Sequence, residues 1–264
     1  MNLNPDTKSN KIQHKGEISE FSVMVRILIN SFLSLVVLAV CLMFSWRALS
    51  EANFLFPQLY EINGIDAQIA KYGPQNRNRV GFETTTKAER GIIFGEIVEA
   101  VNNSGIGLEK IVYRAPSGEV IDSFLTQPEI DHLNDVARLI GYLNKTLLYL
   151  TAFLFCLVTF CWTLKVRKNT NIWRPFTVGK SFISMLAVLL LCFAIVTAVG
   201  PQRVFYALHE WIFAGMAPWH FYFQDSLMTT MLTEPLFGSI SILLVGTAFV
   251  FWLLLSALIK RILA

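Results

Sequence analysis

The chain has 264 residues, of which 54% are hydrophobic and only 16% are charged, and its formal net charge is +3. This composition excludes an ordinary soluble domain, and the small positive charge does not argue for nucleic acid as a partner. The sequence predicts an α-helical integral membrane protein with four transmembrane helices and a small mixed α/β extracytoplasmic domain between helices 1 and 2.

Four apolar runs are each long enough to cross a bilayer, which takes about 20 residues of helix. The first run follows a polar tail and is not followed by a small-residue cleavage site, so it is expected to be retained as a membrane helix. All four cysteines fall inside the apolar runs, so no disulfide scaffold is implied. The predicted membrane helices are residues 27–46, 147–164, 182–199 and 240–259.

The distribution of basic residues predicts the orientation, because cytoplasmic loops carry an excess of Lys and Arg. Three segments are basic: the N-terminal tail (1–26), the middle loop (165–181) and the C-terminal end (260–264). The loop 200–239, by contrast, has a single basic residue, Arg203. Both termini are therefore expected in the cytoplasm. The domain 47–146 and the aromatic loop 200–239 are expected on the outer side.

Local signals divide the outer domain into short elements. Residues 73–79 have the composition of a loop. The threonines at 84–86 precede a predicted helix over about 88–102, on which five residues give one helical face. This predicted, mainly apolar face comprises Ile92, Ile93, Glu96, Ile97 and Val101.

The next signals are a hairpin and a helix start. Residues 111–113 and 120–124 flank a Pro-Ser-Gly turn and predict a short β-hairpin. Thr126 is the expected N-cap of a helix with Pro128 in its first turn, and this helix is expected to run straight into the second membrane helix.

This helix carries the first of three histidines that the topology places on the outer side. Glu129, His132 and Asp135 follow one another at intervals of three residues, which puts neighbours on the same helical face. A carboxylate beside an imidazole can fix its tautomer and raise its basicity, as a histidine base requires. A solvated helix near the membrane surface would carry the same residue types.

The second histidine, His209, lies in the aromatic loop on a short helix that Pro201 is expected to begin. Its neighbours are aromatic and aliphatic, which suits either an interfacial histidine among belt aromatics or a catalytic group beside lipid. A third outer histidine, His220, completes a conceivable zinc trio. The sequence has no metal-ligand spacing, however, so no metal site is predicted.

The order of these motifs resembles the bacterial lipoprotein intramolecular transacylase (Lit) family from about Arg26 to the end of the chain. The helix motif is Glu129-x-x-His132-Leu133-x-Asp135-Val136. The loop motifs are Leu208-His209-x-x-Ile212-Phe213, then Trp219, Asp225-x-Leu227 and Glu234-Pro235-Leu236-Phe237. Leu133, Leu208 and Ile212 stand where the family pattern has Met, Phe and an aromatic residue.

The resemblance implies a cofactor-independent acyl shift in the bacterial cytoplasmic (inner) membrane. The sn-2 acyl chain of a diacylglyceryl lipoprotein would move from its ester oxygen to the α-amine of the same N-terminal cysteine, leaving a lyso-lipoprotein. The implied partners are this lipoprotein and the phospholipid bilayer. The chemistry is consistent with the sequence, because nucleophile and electrophile belong to one molecule and need mainly to be held in register.

Within that resemblance, one of His132 and His209 is expected to be the general base, with His209 favoured. The other would stabilise the oxyanion or protonate the leaving alkoxide, and Glu129 and Asp135 would orient His132. A lipid and substrate groove is expected to include Trp211, Phe213, Trp219 and Asp225. The alternative is a non-catalytic membrane subunit or sensor whose outer domain docks a partner. Catalysis requires both histidines to face one groove.

Overall fold

The structure is a computed structural model that describes residues 31–168 and 178–263. The predicted cytoplasmic tail, the start of the first span, most of the basic middle loop and Ala264 lie outside the described residues. The described chain is mostly helical and contains one two-stranded sheet.

Helices make up most of the described chain. As far as the structure describes them, which excludes residues 27–30, the four apolar runs lie within α1, α5, α6 and α9. The helices are α1 (Ser31–Glu51), α2 (Phe56–Ile62), α3 (Ile65–Tyr72), α4 (Lys87–Asn102), α5 (Gln127–Lys168), α6 (Val178–Val199), α7 (Pro201–Ile212), α8 (Leu227–Met231) and α9 (Glu234–Leu263). The strands β1 (Val112–Arg114) and β2 (Val120–Ser123) pair antiparallel.

Three of the described helices, α1, α5 and α9, are long and apolar enough to cross a membrane. A fourth candidate span is the pair formed by α6 and α7, which is bent by 103°. The bend falls at Gly200, whose φ of 96° and ψ of 133° are conformations that glycine adopts most readily. The prediction of an integral membrane protein is thus supported, with three to four candidate spans.

The chain forms two compact units, and the larger holds Cys41–Tyr149 and Ile195–Phe249. This unit contains the outer domain and every predicted site residue. Its core is built on aromatic side chains: Phe56 stacks on Phe94 with 4.1 Å between ring centroids, and Phe82 meets the edge of Tyr113 at 5.6 Å. In the other unit, Phe32 and Phe153 pack edge to face at 6.5 Å.

The predicted elements of the outer domain are confirmed, with two differences. The hairpin, the helix ending at Asn102 and the continuous helix after Thr126 are all present. The prediction that Ile92 lies on the buried face of α4 was wrong, because its side chain is 56% exposed. Ile92 lies about 100° around the helix from Ile93 and so falls beside the buried face. Arg90 shares that face with Ile93, Ile97 and Val101, and its side chain donates to the hydroxyls of Thr85 and Tyr60. The second difference is that α2 and α3 were not predicted.

Candidate active site

His132 lies near the start of α5, in the part of the helix that carries charged residues and before its uncharged stretch 146–164. The chain enters this helix through a capping arrangement: the backbone N–H and the hydroxyl of Thr126 both donate to Oε2 of Glu129 at 2.6 Å. The His132 side chain is only 7% exposed. Its Nδ1 is buried and has no hydrogen-bond partner among the described residues.

The two carboxylates that flank His132 are also buried, and their hydrogen bonds go elsewhere. Oε1 of Glu129 accepts a hydrogen bond from the Ser226 hydroxyl at 2.5 Å. Oδ2 of Asp135 accepts one from the backbone N–H of Ala217 at 3.1 Å, and its Oδ1 pairs with Arg138. In the described chain, neither carboxylate is hydrogen-bonded to His132, so the predicted role of orienting this imidazole is not supported by a direct hydrogen bond. Both carboxylates instead hold residues 213–226, the segment between α7 and α8 that we call the strap.

His209 is held by its own helix. Its Nδ1 lies 3.0 Å from the carbonyl oxygen of Phe205, one turn earlier on α7. A carbonyl only accepts, so the proton of the neutral imidazole belongs on Nδ1. The Nε2 lone pair is then left to accept a proton, which is the state that a general base requires.

A single phenyl ring, that of Phe213, neighbours both imidazoles. Its centroid is 5.0 Å from that of His132 and 5.6 Å from that of His209. Phe213 is 6% exposed and begins the strap just after α7. The two histidines, 77 positions apart by their residue numbers (209 − 132 = 77), are thus brought to one cluster of rings.

Burial keeps both imidazoles neutral at ordinary pH. Desolvation, followed by the charge of neighbouring His209, lowers the pKa of His132 from 6.5 to about 4. Desolvation also lowers the pKa of His209, against the opposing effect of its bond to the Phe205 carbonyl. Two neutral imidazoles can accept a proton at one nitrogen and donate one at the other, without a fixed charge in the site.

The remaining predicted groove residues occupy different surroundings. The Trp219 ring is 5.1 Å from that of His209 and lies within the aromatic cluster. Trp211 is 77% exposed on α7, and Asp225 forms an ion pair with Arg77 at 3.7 Å. The described contacts therefore join Trp219 and Phe213 to the histidines but give Trp211 and Asp225 other neighbours.

Comparison with protein families identifies this part of the chain. Residues 111–237 match the family model described as lipoprotein intramolecular transacylase Lit. These residues are similar to the Lit family. No curated protein and no solved structure matches it.

The Lit segment runs from the hairpin to the first turn of α9 and includes His132, His209 and the strap. The Lit family model describes intramolecular transacylation of lipoproteins, which is an acyl transfer on a lipoprotein substrate. The candidate spans agree with an integral membrane protein.

The metal alternative depended on His220. This side chain is exposed, and its ring neighbours are Tyr206, Trp219 and Tyr222 at 5.3–5.8 Å. Among residues 31–168 and 178–263, no three His, Cys, Asp or Glu side chains are grouped so that they could hold a metal ion.

Several residues of the Lit segment and of the outer domain that shape the site were not predicted from the sequence. Phe221 lies 6.1 Å from His132, measured between ring centroids. Asn76 and Asn78 donate to strap carbonyls, those of Phe223 and Asp225, at 3.2 and 3.0 Å. Ser226 had one usable signal, because it precedes a helix as an N-cap and accepts from the N–H of Thr229.

Proposed function

We propose that the chain moves the sn-2 acyl group of a diacylglyceryl lipoprotein to the α-amine of the same N-terminal cysteine. Similarity to the family supplies the reaction class, and the observation that supports this site is the pair of neutral imidazoles against one phenyl ring. A non-catalytic docking protein has no need for two neutral histidines, one buried and one half-buried, against the same ring. The arrangement therefore favours catalysis over that alternative.

In the proposed reaction, the amine nitrogen attacks the carbonyl carbon of the ester. A C–N bond forms, the carbonyl oxygen becomes an oxyanion, and Nε2 of His209 takes a proton from the nitrogen. The C–O bond to the glycerol then breaks, and the His209 imidazolium returns the proton to the departing alkoxide. No water, nucleotide or covalent enzyme intermediate enters the balance.

The roles of the two histidines follow from their hydrogen bonds. His209 has its Nδ1 proton held by the Phe205 carbonyl, which supports the base role for Nε2. His132 has no partner at Nδ1 among the described residues, so this imidazole is available to donate to the developing oxyanion. The aromatic surroundings exclude water, which strengthens both interactions and protects the ester from hydrolysis.

We further propose that this site faces outward from the cytoplasmic membrane, with both termini inside. The basic residues of the N-terminal tail, the loop 165–181 and the C-terminal end support the orientation. Leu208 and Trp211 on α7 are 49% and 77% exposed, although both are apolar. This surface fits contact with the outer leaflet, where the substrate's acyl chains lie.

Mass spectrometry of a model lipoprotein tests the reaction directly. Because donor and acceptor belong to one molecule, we expect its intact mass to stay unchanged while its α-amine becomes unreactive towards an amine-labelling reagent. Fragmentation should place one acyl chain on the amine nitrogen only when this protein is expressed in a host that leaves the amine free. A mass gain of one acyl chain would indicate intermolecular transfer, and a loss would indicate hydrolysis; either would contradict the proposal.

The orientation predicts which positions react with a membrane-impermeant maleimide. In a variant with all four native cysteines replaced by Ala, Val80→Cys should be labelled in intact cells, since this position is 73% exposed in the outer domain. Asn169→Cys in the basic loop, the matched control, should be labelled only after permeabilisation. The reverse pattern would overturn the proposed topology and move the site to the cytoplasmic side.

A further inference from the structure

Both ends of the strap are bound by carboxylates from the helix that carries His132. Glu129 binds Ser226 at one end and Asp135 binds Ala217 towards the other. We propose that Glu129 and Asp135 are positioning residues that act through the strap, and that Ser226 and the Ala217 N–H are their partners in this role. The inference rests on the proposed function, because it concerns how the residues of the same site are held in position.

The Ser226 end is fully buried. Glu129 and Ser226 are each 0% exposed, so their hydrogen bond is shielded from water. The Ser226 oxygen also accepts from the N–H of Thr229 at 2.9 Å, which makes Ser226 the N-cap of α8. Since the other oxygen of Glu129 takes two donors from Thr126, this carboxylate joins the start of α5 to the start of α8.

The Asp135 end has an exposed side as well as a buried one. Asp135 is 3% exposed, and its Oδ2 takes the N–H of Ala217 at 3.1 Å. Its Oδ1 pairs with Arg138, whose side chain is 69% exposed. The bond to Ala217 is thus the strap attachment, whereas the pairing with Arg138 stays within α5.

These two attachments hold aromatic rings against the histidines. Between them, the strap places Phe221 6.1 Å from His132 and Trp219 5.1 Å from His209, measured between ring centroids, and it starts with Phe213. The imidazole of His132 is therefore kept in place by packing rather than by a hydrogen bond to a carboxylate. The Nδ1 of His132 is buried and has no partner among the described residues, whereas Glu129 and Asp135 take hydrogen bonds from their own donors.

The experiment combines hydrogen–deuterium exchange with kinetics, using the full chain in detergent micelles and a synthetic diacylglyceryl lipopeptide. Ser226→Ala removes the donor to Glu129 and should raise exchange of the strap amides. It should lower kcat about tenfold to a hundredfold with little change in KM, because small misplacements of catalytic groups cost rates of this size. Ser226→Thr keeps the hydroxyl and should restore both values, and exchange in α4 should match wild type throughout.

Asp135 provides a second test that does not depend on the folding of the Ser226 variant. Asp135→Asn keeps an oxygen for the Ala217 N–H and should retain most of kcat, whereas Asp135→Ala removes it and should behave like Ser226→Ala. Arg138→Gln removes only the ion pair between Arg138 and Asp135. This variant should match wild type in exchange and in kcat.

Two kinetic results would overturn the proposal. One is a kcat within about twofold of wild type in Ser226→Ala and Asp135→Ala, variants that should lower it at least tenfold. The other is a large loss of kcat in Asp135→Asn with unchanged strap exchange, which would mean that the charge acts directly on His132. Absence of acyl transfer by the wild-type chain would instead defeat the proposed function. Unchanged strap exchange in all variants would show that the carboxylates do not hold the strap.

Discussion

Replacing His132 or His209 by Gln should reduce acyl transfer about a hundredfold or more, because a positioned base or oxyanion donor contributes at least that much. Gln approximates the size of imidazole and can still form hydrogen bonds, but it cannot take a proton at neutral pH. The measurement is the initial rate at which the α-amine of the lipopeptide becomes blocked, with the amount of membrane-inserted protein determined in parallel. The double variant should be little slower than either single one, since groups that act as a unit are not additive.

His220→Gln is the matched control for these variants. His220 lies in the strap and contacts aromatic rings. Its side chain is exposed, however, and neither Phe213 nor His132 is among its ring neighbours. Its replacement should cost far less than that of the other two. Near-normal transfer by both His132→Gln and His209→Gln would contradict the catalytic role and favour the docking protein.

The rate of transfer should rise about tenfold per pH unit from pH 6 to about pH 8 and then level off. The limiting quantity is the fraction of unprotonated α-amine, whose pKa is near 8. The histidines should add no second dependence near pH 6.5, because burial lowers the pKa of His132 to about 4 and also lowers that of His209. A lowered pKa moves the protonation of each imidazole, and hence the loss of the base, to a lower pH.

An α-hydroxy analogue of the lipopeptide separates the two contributions, since its hydroxyl does not titrate in this range. Its transfer rate should be nearly constant from pH 7 down towards the lowered histidine pKa values. A break near pH 6.5 with the analogue, or a slope of about a hundredfold per unit with the amine, would mean that a histidine titrates with its ordinary value of about 6.5.

Much of the scaffold could be predicted because its signals are local. The cap at Thr126, the hairpin turn and the apolar runs each depend on residues within a few positions of one another. Those signals were sufficient to place His132 near the start of a long helix and His209 on a short one. Family motifs then selected these two histidines from the four in the chain.

The contacts of Glu129 and Asp135 could not be predicted in the same way. Helical spacing put both carboxylates near His132 and suggested that they bind it. Their partners in the strap are 97 and 82 residues away in the sequence, and no local pattern encodes a pairing over such a distance. The burial of Arg90 has a related cause, since its partner Tyr60 lies 30 residues earlier, whereas the apolar spacing of Ile93, Ile97 and Val101 is kept in α4.

The bend at Gly200 has a consequence for how this site can vary. A residue with a β-carbon at φ 96° would be strained, and because Pro201 disfavours a helical conformation at position 200, relief of that strain changes the direction of α7 rather than straightening α6. The twelve residues of α7 would then move away from His132 and carry His209 with them. The meeting of the two imidazoles thus depends on a position that contributes no side chain to it, and a change there would separate an otherwise intact pair.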